Sequence, residues 1–378
     1  MIYRAVHFLK RNIQGYHTDR KIVVIESDDW GSIKMPTTKH YAYLKKRYPR
    51  IESDPYSKFD SLEKPEELLD LFDVLKNYKD INGNHPKFTA NAVIANPDFD
   101  KIKASGFKNY YHETVDKSFN KMSNSASSLD LWMEGFNNGL FIPQYHGREH
   151  LNVDRWILDL AENNIPHIRE AFELGMTPFS FLPSYMKHNY MEGLDFFTDV
   201  EMLNKEHMIR DGFSIFNNLT GIKSKSFIAN CYIWHPSIEE TLDELGVKYI
   251  QGNPLQVVPE IRDKNHSFSY RPHYTGEMNS LNQIYLVRNV YFEPSLKANR
   301  KNIVNEVMSQ INRAFLFNKP AIISSHRLNY IGSIDKLNQE LNLTYLDELL
   351  SRVLRTWPRV EFMSSDELGQ IINEGITN

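Results

Sequence analysis

Three short stretches of this sequence concentrate the residue types that do chemistry. Lys21–Ser32 reads KIVVIESDDWGS and places Asp28 beside Asp29. His146–His150 reads HGREH, and Ser325–Arg327 carries His326 after the apolar run AII. Two imidazoles and one carboxylate can hold a divalent metal while leaving positions open for water and substrate. Histidines four apart share one face if their segment is helical. HGREH is not the HExxH pattern of metalloproteases, because Gly147 stands second and the acid fourth. A second carboxylate can act as a base, and a histidine near neutrality as an acid or base. Each stretch by itself also suits an ordinary solvated turn or a rim histidine. What separates them from that reading is that all three follow apolar runs of strand character.

The elements that must position these residues are legible as alternating patterns. Strands are expected over 21–27, 87–95, 140–145, 226–233, 247–250, 283–288, 321–325 and 360–363. Helical spacing is expected over 63–78, 129–138, 153–163, 237–245, 302–317, 346–355 and from about 366. Alternation of this kind implies parallel βαβ units, and seven or eight of them fit a distorted (β/α) barrel formed by 1–378 as one catalytic domain. The weakly patterned stretches 35–60, 100–125 and 253–282 read as loop insertions. In such a barrel chemistry sits at the C-terminal ends of the strands, where all three stretches fall.

Composition narrows the function classes. The chain has 378 residues, 41% of them apolar, which is ample for a large core. Net charge is −4 without a basic stripe, which argues against nucleic acid as a partner. Cys231 is the one cysteine, so no intramolecular disulfide can form. No apolar run is long enough for a membrane span, and the opening MIYRAVHFLKRNIQGYH lacks the apolar segment of a secretion signal. A cytoplasmic location is the resulting expectation; oligomeric state is not readable.

In combination these motifs resemble the polysaccharide deacetylases of carbohydrate esterase family 4, with the NodB homology fold. ESDDWG is similar to their strand ending in Asp-Asp, and HGREH to their His-Ser/Thr-x-x-His. SFIANCYIWHPSIEETLDELGVKYI has the frame of their third motif, IISSHRLN of their late histidine, and VEFMSSDELGQII of their closing strand and helix. Two departures stand out: Trp30 intervenes before Gly31, and Ile228, Ala229 and Asn230 replace the third motif's arginine. The resemblance implies a metal held by Asp29, His146 and His150, zinc first, with cobalt, nickel, iron or manganese as alternatives. It implies Asp28 as base and His326 as acid. The substrate would be an acetylated carbohydrate losing an N-acetyl or O-acetyl group. Arg148 or Arg327, each beside a site histidine, could supply the missing guanidinium to the catalytic carboxylate. Trp30, Arg148, Asn230 and Arg327 are the expected substrate contacts.

Other readings use the same residues. A non-haem iron oxygenase also takes two histidines and a carboxylate, but no co-substrate signal accompanies them. A glycosidase pair formed by Asp28 and Asp29 meets the difficulty that neighbours on a strand face opposite ways. A glycan-binding protein without turnover would explain the missing arginine. A metal-dependent amidohydrolase on a non-carbohydrate substrate is the remaining alternative.

Overall fold

Alternate residues of Lys21–Trp30, strand β1, part onto two faces. Val23 and Ile25 join the large core under the helices, whereas Ile22 and Val24 join a smaller core on the inner face of the sheet. In the computed structural model, which describes residues 13–122, 127–163, 165–179, 189–262 and 265–377, this division recurs from strand to strand. Residues 1–12, most of the stretch read above for a secretion signal, lie outside the described residues. So do 123–126 and 263–264 of two expected insertions.

Six further strands follow the same direction across the central sheet: β2 (Phe88–Val93), β5 (Phe141–Gly147), β6 (Ser226–Ile228), β7 (Tyr249–Gly252), β10 (Ile284–Val287) and β12 (Ala321–His326). Two short pairs, β3 (Ala95–Pro97) with β4 (His112–Thr114) and β8 (Leu255–Arg262) with β9 (Asn265–Pro272), are antiparallel and lie off it. With β11 (Val290–Tyr291) and β13 (Val360–Met363), nine strands form the sheet, in the order β10-β7-β6-β5-β2-β1-β12-β11, and β13 flanks the first half of β1. Every pairing within it is parallel. The result is a curled, open (β/α) half-barrel whose edges are β10 and β11. Helices α1 (Pro65–Lys76), α2 (Ser128–Asn137), α3 (Val153–Glu162), α4 (Asp199–Thr220), α5 (Ser237–Glu244), α6 (Ile303–Leu316) and α7 (Lys336–Thr356) connect the strands. The last, α8 (Ser365–Thr377), buries Leu368 and Ile372 against Ile22, Val24, Ile284 and Leu286 on the inner face.

Two expectations are corrected in detail. The strand read over 226–233 stops at Ile228 and gives way to a tight turn at Asn230–Tyr232, where Cys231 and Tyr232 take φ of 54° and 59°. The helix read over 346–355 begins earlier, at Lys336, with the Asp335 side chain capping Asn338 N. The stretches 35–60 and 253–282 carry structure of their own: a helix at Thr38–Arg47 in the first and the β8–β9 ribbon in the second.

Candidate functional site

The inner face changes character along each strand. Ile22 and Val24 of β1 are followed at the same period of two by Glu26 and Asp28. On β12 the series is Ile322, Ser324, His326, and on β10 it is Ile284, Leu286 and then Arg288 just past the strand's end. Asp28 and His326 are register partners across the β1–β12 pair. The polar ends therefore collect at the C-terminal mouth of the half-barrel, around a cavity of about 300 Å³ lined by Asp28, Asp29, His146, His150, Tyr232 and His326 among others.

Asp29 reaches that cavity by breaking the strand. Its φ is 77°, in the left-handed region, and the β1–β2 register shifts between Ser27 and Trp30. Regular pleating would send Asp28 and Asp29 to opposite faces; the left-handed turn brings both to one. The strain is held by partners. Gly31, at φ 84°, donates its N–H to Glu63 at 3.0 Å, and the Asn96 side chain binds Gly31 O and Ile33 N. A Cβ on Gly31 would stand 2.3 Å from Val93 O.

Asp29 Oδ1 lies 3.5 Å from His146 Nε2 and 3.4 Å from His150 Nε2. The histidines converge without a helix: β5 ends at Gly147, whose φ of 138° turns the chain so that His150 swings back beside His146. The helical geometry that would also have put the two histidines on one face is not the one used. His146 Nδ1 meets Ile228 O at 2.9 Å. A carbonyl only accepts, so Nδ1 donates to it and Nε2 faces Asp29. Burial pushes His150 down to about 3, which keeps it neutral. Asp29 Oδ1 and His146 Nε2 are buried with no hydrogen-bond partner. Two imidazoles and a carboxylate, with the orphaned Asp29 Oδ1 and His146 Nε2 facing one another, form a group that could hold a metal ion.

A second cluster surrounds Asp28. Arg288 donates from Nη1 to Asp28 Oδ2 at 2.7 Å and from Nη2 to Oδ1 at 2.6 Å, while its Nε reaches Glu26 Oε2 at 2.6 Å. Asn91 adds a 2.8 Å bond to Asp28 Oδ1. Burial alone would push Asp28 up; the Arg288 guanidinium outweighs it and holds the carboxyl well below the usual range. Asp28 Oδ2 keeps a free side toward His326 Nε2, 3.8 Å away. His326 Nδ1 is 2.6 Å from Glu293 Oε1. Burial disfavours the imidazolium, but the Glu293 carboxylate prevails and raises His326 to about 10. Asn329 fixes the other Glu293 oxygen at 2.8 Å.

The structure brings Asp28, Asp29, His146, His150 and His326 to one cavity. It sets the four expected substrate contacts apart from it. Trp30 is buried edge-on to Phe141 at 4.9 Å, with Nε1 on Ser27 Oγ. Arg148 pairs with Glu149 and Asp211. Asn230 is buried and donates to His146 O at 3.1 Å, bracing the end of β5. Arg327 is buried between Asp60, Glu63 and Ser32 O. Neither Arg148 nor Arg327 touches Asp28; the guanidinium comes from Arg288, which sequence reading overlooked. A signal existed, since Arg288 ends the strand run QIYLVR in step with Ile284 and Leu286. Glu293 and Glu26 were missed too, and Glu293, in a turn between β11 and β12, had no comparable signal.

No family model matches the chain, and no curated protein matches it in sequence. Among solved structures the chain is similar to a candidate polysaccharide deacetylase from Mycobacterium smegmatis, at 8% identity and a TM-score of 0.43 over 96% of this chain and 93% of that one. It is similar to Puue allantoinase at 8% identity and a TM-score of 0.45, covering 94% and 93%. A CE4 family pseudoenzyme from Bacillus anthracis aligns at 10% identity and a TM-score of 0.39 over 93% of this chain and 66% of that one.

Proposed function

We propose that the chain is a metal-dependent hydrolase that removes acetyl groups from an amide of an acetylated carbohydrate. The observation that carries this reading is the pairing of two groups with opposite partners beside the Asp29–His146–His150 cluster: Asp28 paired with Arg288, and His326 paired with Glu293. A divalent cation, zinc by the chemistry of the donor set, would be held by Asp29, His146 and His150 and would supply Lewis acidity to water and to the acyl oxygen. Asp28 Oδ2 takes a proton from the water whose oxygen bonds to the acyl carbon. His326 gives its Nε2 proton to the leaving nitrogen as the C–N bond breaks. Glu293 keeps His326 charged until that step, and Arg288 fixes the Asp28 carboxylate in one orientation. The acetic acid formed passes its proton to the freed amine, acetate and the ammonium leave, and the proton on Asp28 returns to His326.

The non-catalytic reading drew its support from the missing third-motif arginine. Arg288 supplies a bidentate guanidinium to Asp28 from another strand, so that support is gone. The decisive experiment is elemental analysis of protein purified without chelator, followed by assay of acetate release from N-acetylated sugars with and without added Zn2+. The reading expects near-stoichiometric metal and release that chelation abolishes and Zn2+ restores. Sugar binding with no release under any metal would overturn it in favour of a glycan-binding protein.

A further inference from the structure

One cation in the cavity forms no ion pair among the described residues. Lys34 lines it five residues after Asp29, and the lysine is 9% exposed. Its backbone is pinned on both sides: Ile33 N donates to Asn96 Oδ1 at 2.9 Å and Met35 N to Asp60 O at 3.1 Å. Its Nζ is on the side of the cavity that Met191 lines. Among the described residues its Nζ meets only the thioether of Met191, at 3.0 Å. A thioether is a weak acceptor, and Lys34 makes no ion pair among the described residues. The nearby cations of the site are already matched. Arg288 has Glu26 and Asp28, Arg327 has Asp60 and Glu63, and His326 has Glu293. The charge of Lys34 acts on the Asp29 and Asp60 carboxylates without direct contact, so an anion arriving in the cavity would give the ammonium a charge-assisted hydrogen bond it otherwise lacks.

We propose that Lys34 binds a carboxylate carried by the substrate, so that the molecule hydrolysed is an anionic N-acyl compound rather than a neutral sugar. The inference rests on the hydrolase reading and narrows its substrate class. Lys34 brings one positive charge to a cavity lined by Met35, Met176 and Met191 but also by the neutral polar residues Ser57, Thr177 and Asn189. One charge matches a monoanion better than a dianionic phosphate. Methionine at position 34 would extend the same apolar wall without the charge, so Lys34→Met separates binding from folding.

The test uses equilibrium calorimetry on zinc-loaded Asp28→Asn protein, in which turnover is suppressed, with and without Lys34→Met. The probes are N-acetylglucosamine, N-acetylmuramic acid, N-acetylglycine and N-acetylglucosamine 6-phosphate. A carboxylated probe is expected to bind about ten- to a hundredfold more tightly than N-acetylglucosamine, the range of a charge-assisted hydrogen bond. Lys34→Met should erase that advantage without changing N-acetylglucosamine binding, and Lys34→Arg should restore part of it. Equal affinities for charged and neutral probes, an advantage that survives Lys34→Met, or no binding of any probe would overturn the proposal. Preference for the phosphate would overturn the carboxylate class. If carboxylate selectivity holds while the wild type releases no acetate, the hydrolase reading fails and the anion site stands.

Discussion

At the scale of the residue, the two aspartates are chemically distinct because their partners differ. Asp29→Asn is expected to lose metal and activity together, since it removes the anionic donor; Asp28→Asn should keep metal and fail to turn over. Elemental analysis beside acetate release separates the two, and metal retained in both variants would break the assignment. Arg288 is the more severe position for stability. Replacing it by Met leaves Glu26 and Asp28, both buried, without their shared counter-ion. Removing one partner of a buried ion pair costs about 3–5 kcal/mol, so the midpoint of urea unfolding should fall far more than for Arg210→Met, whose pair with Glu244 is exposed. His326 gives a pH signature. It is held at about 10 against an ordinary 6.5, so its pairing with Glu293 stabilises the fold fully below about pH 6.5. That contribution fades as pH rises through 10. Melting of metal-free protein should therefore fall between pH 7 and 10.5 more steeply in the wild type than in His326→Gln. Parallel curves would show that the pair contributes nothing.

At the scale of the element, the end of β1 is a strained turn clamped from outside the strand. Asp29 and Gly31 both lie at positive φ, and Glu63, brought in just before α1, accepts from Gly31 N while also holding Arg327. The clamp couples three elements: the tip of β1, the approach to α1 and the turn after β12. Gly31→Ala places a Cβ against Val93 O at 2.3 Å in a conformation that L-residues resist. It is expected to cost roughly 1–3 kcal/mol in backbone strain alone, before the clash is counted. The turn carries Asp29, so metal affinity should drop with stability. Calorimetry and zinc titration of this variant would show both losses; unchanged affinity would mean that the turn does not set the position of Asp29.

At the scale of the whole molecule, the site is supported from beneath by the end of the chain. Ser365 opens α8, donates from Oγ to Glu26 Oε1 at 2.8 Å, and Glu26 in turn holds Arg288 on Asp28. Leu368 and Ile372 of the same helix close the inner core. Full burial of two such side chains is worth about 1.5–3 kcal/mol each. A chain ending at Met363 should therefore lose cooperative unfolding or fail to fold, whereas Ser365→Ala should fold and lose activity only in part. Metal binding should also be felt globally. Zn2+ at a hundred times its dissociation constant adds about 2.7 kcal/mol to a protein that binds it only when folded. Added Zn2+ should raise the melting temperature of the wild type and leave His146→Ala unmoved.

The sequence by itself determined the strand–helix alternation, the half-barrel class and five residues that the fold gathers into one cavity. These are local properties: apolar runs, periods of two and 3.6, and polar residues where strands end. Tertiary structure decided which arginine serves Asp28. Arg148 and Arg327 lie close in sequence to site histidines, yet Arg288 stands closest in space, because β10 curls round the half-barrel and its inner face points at β1. It likewise decided that Trp30 belongs to the core and that HGREH works through a turn. It placed Asp28 and Asp29 on one face, a result that pleating alone forbids and that one left-handed residue, held by Glu63 and Asn96, permits. Pairings such as Arg288 with Asp28, separated by 260 positions in the chain, depend on the curvature of the sheet and leave no mark in any short window of sequence.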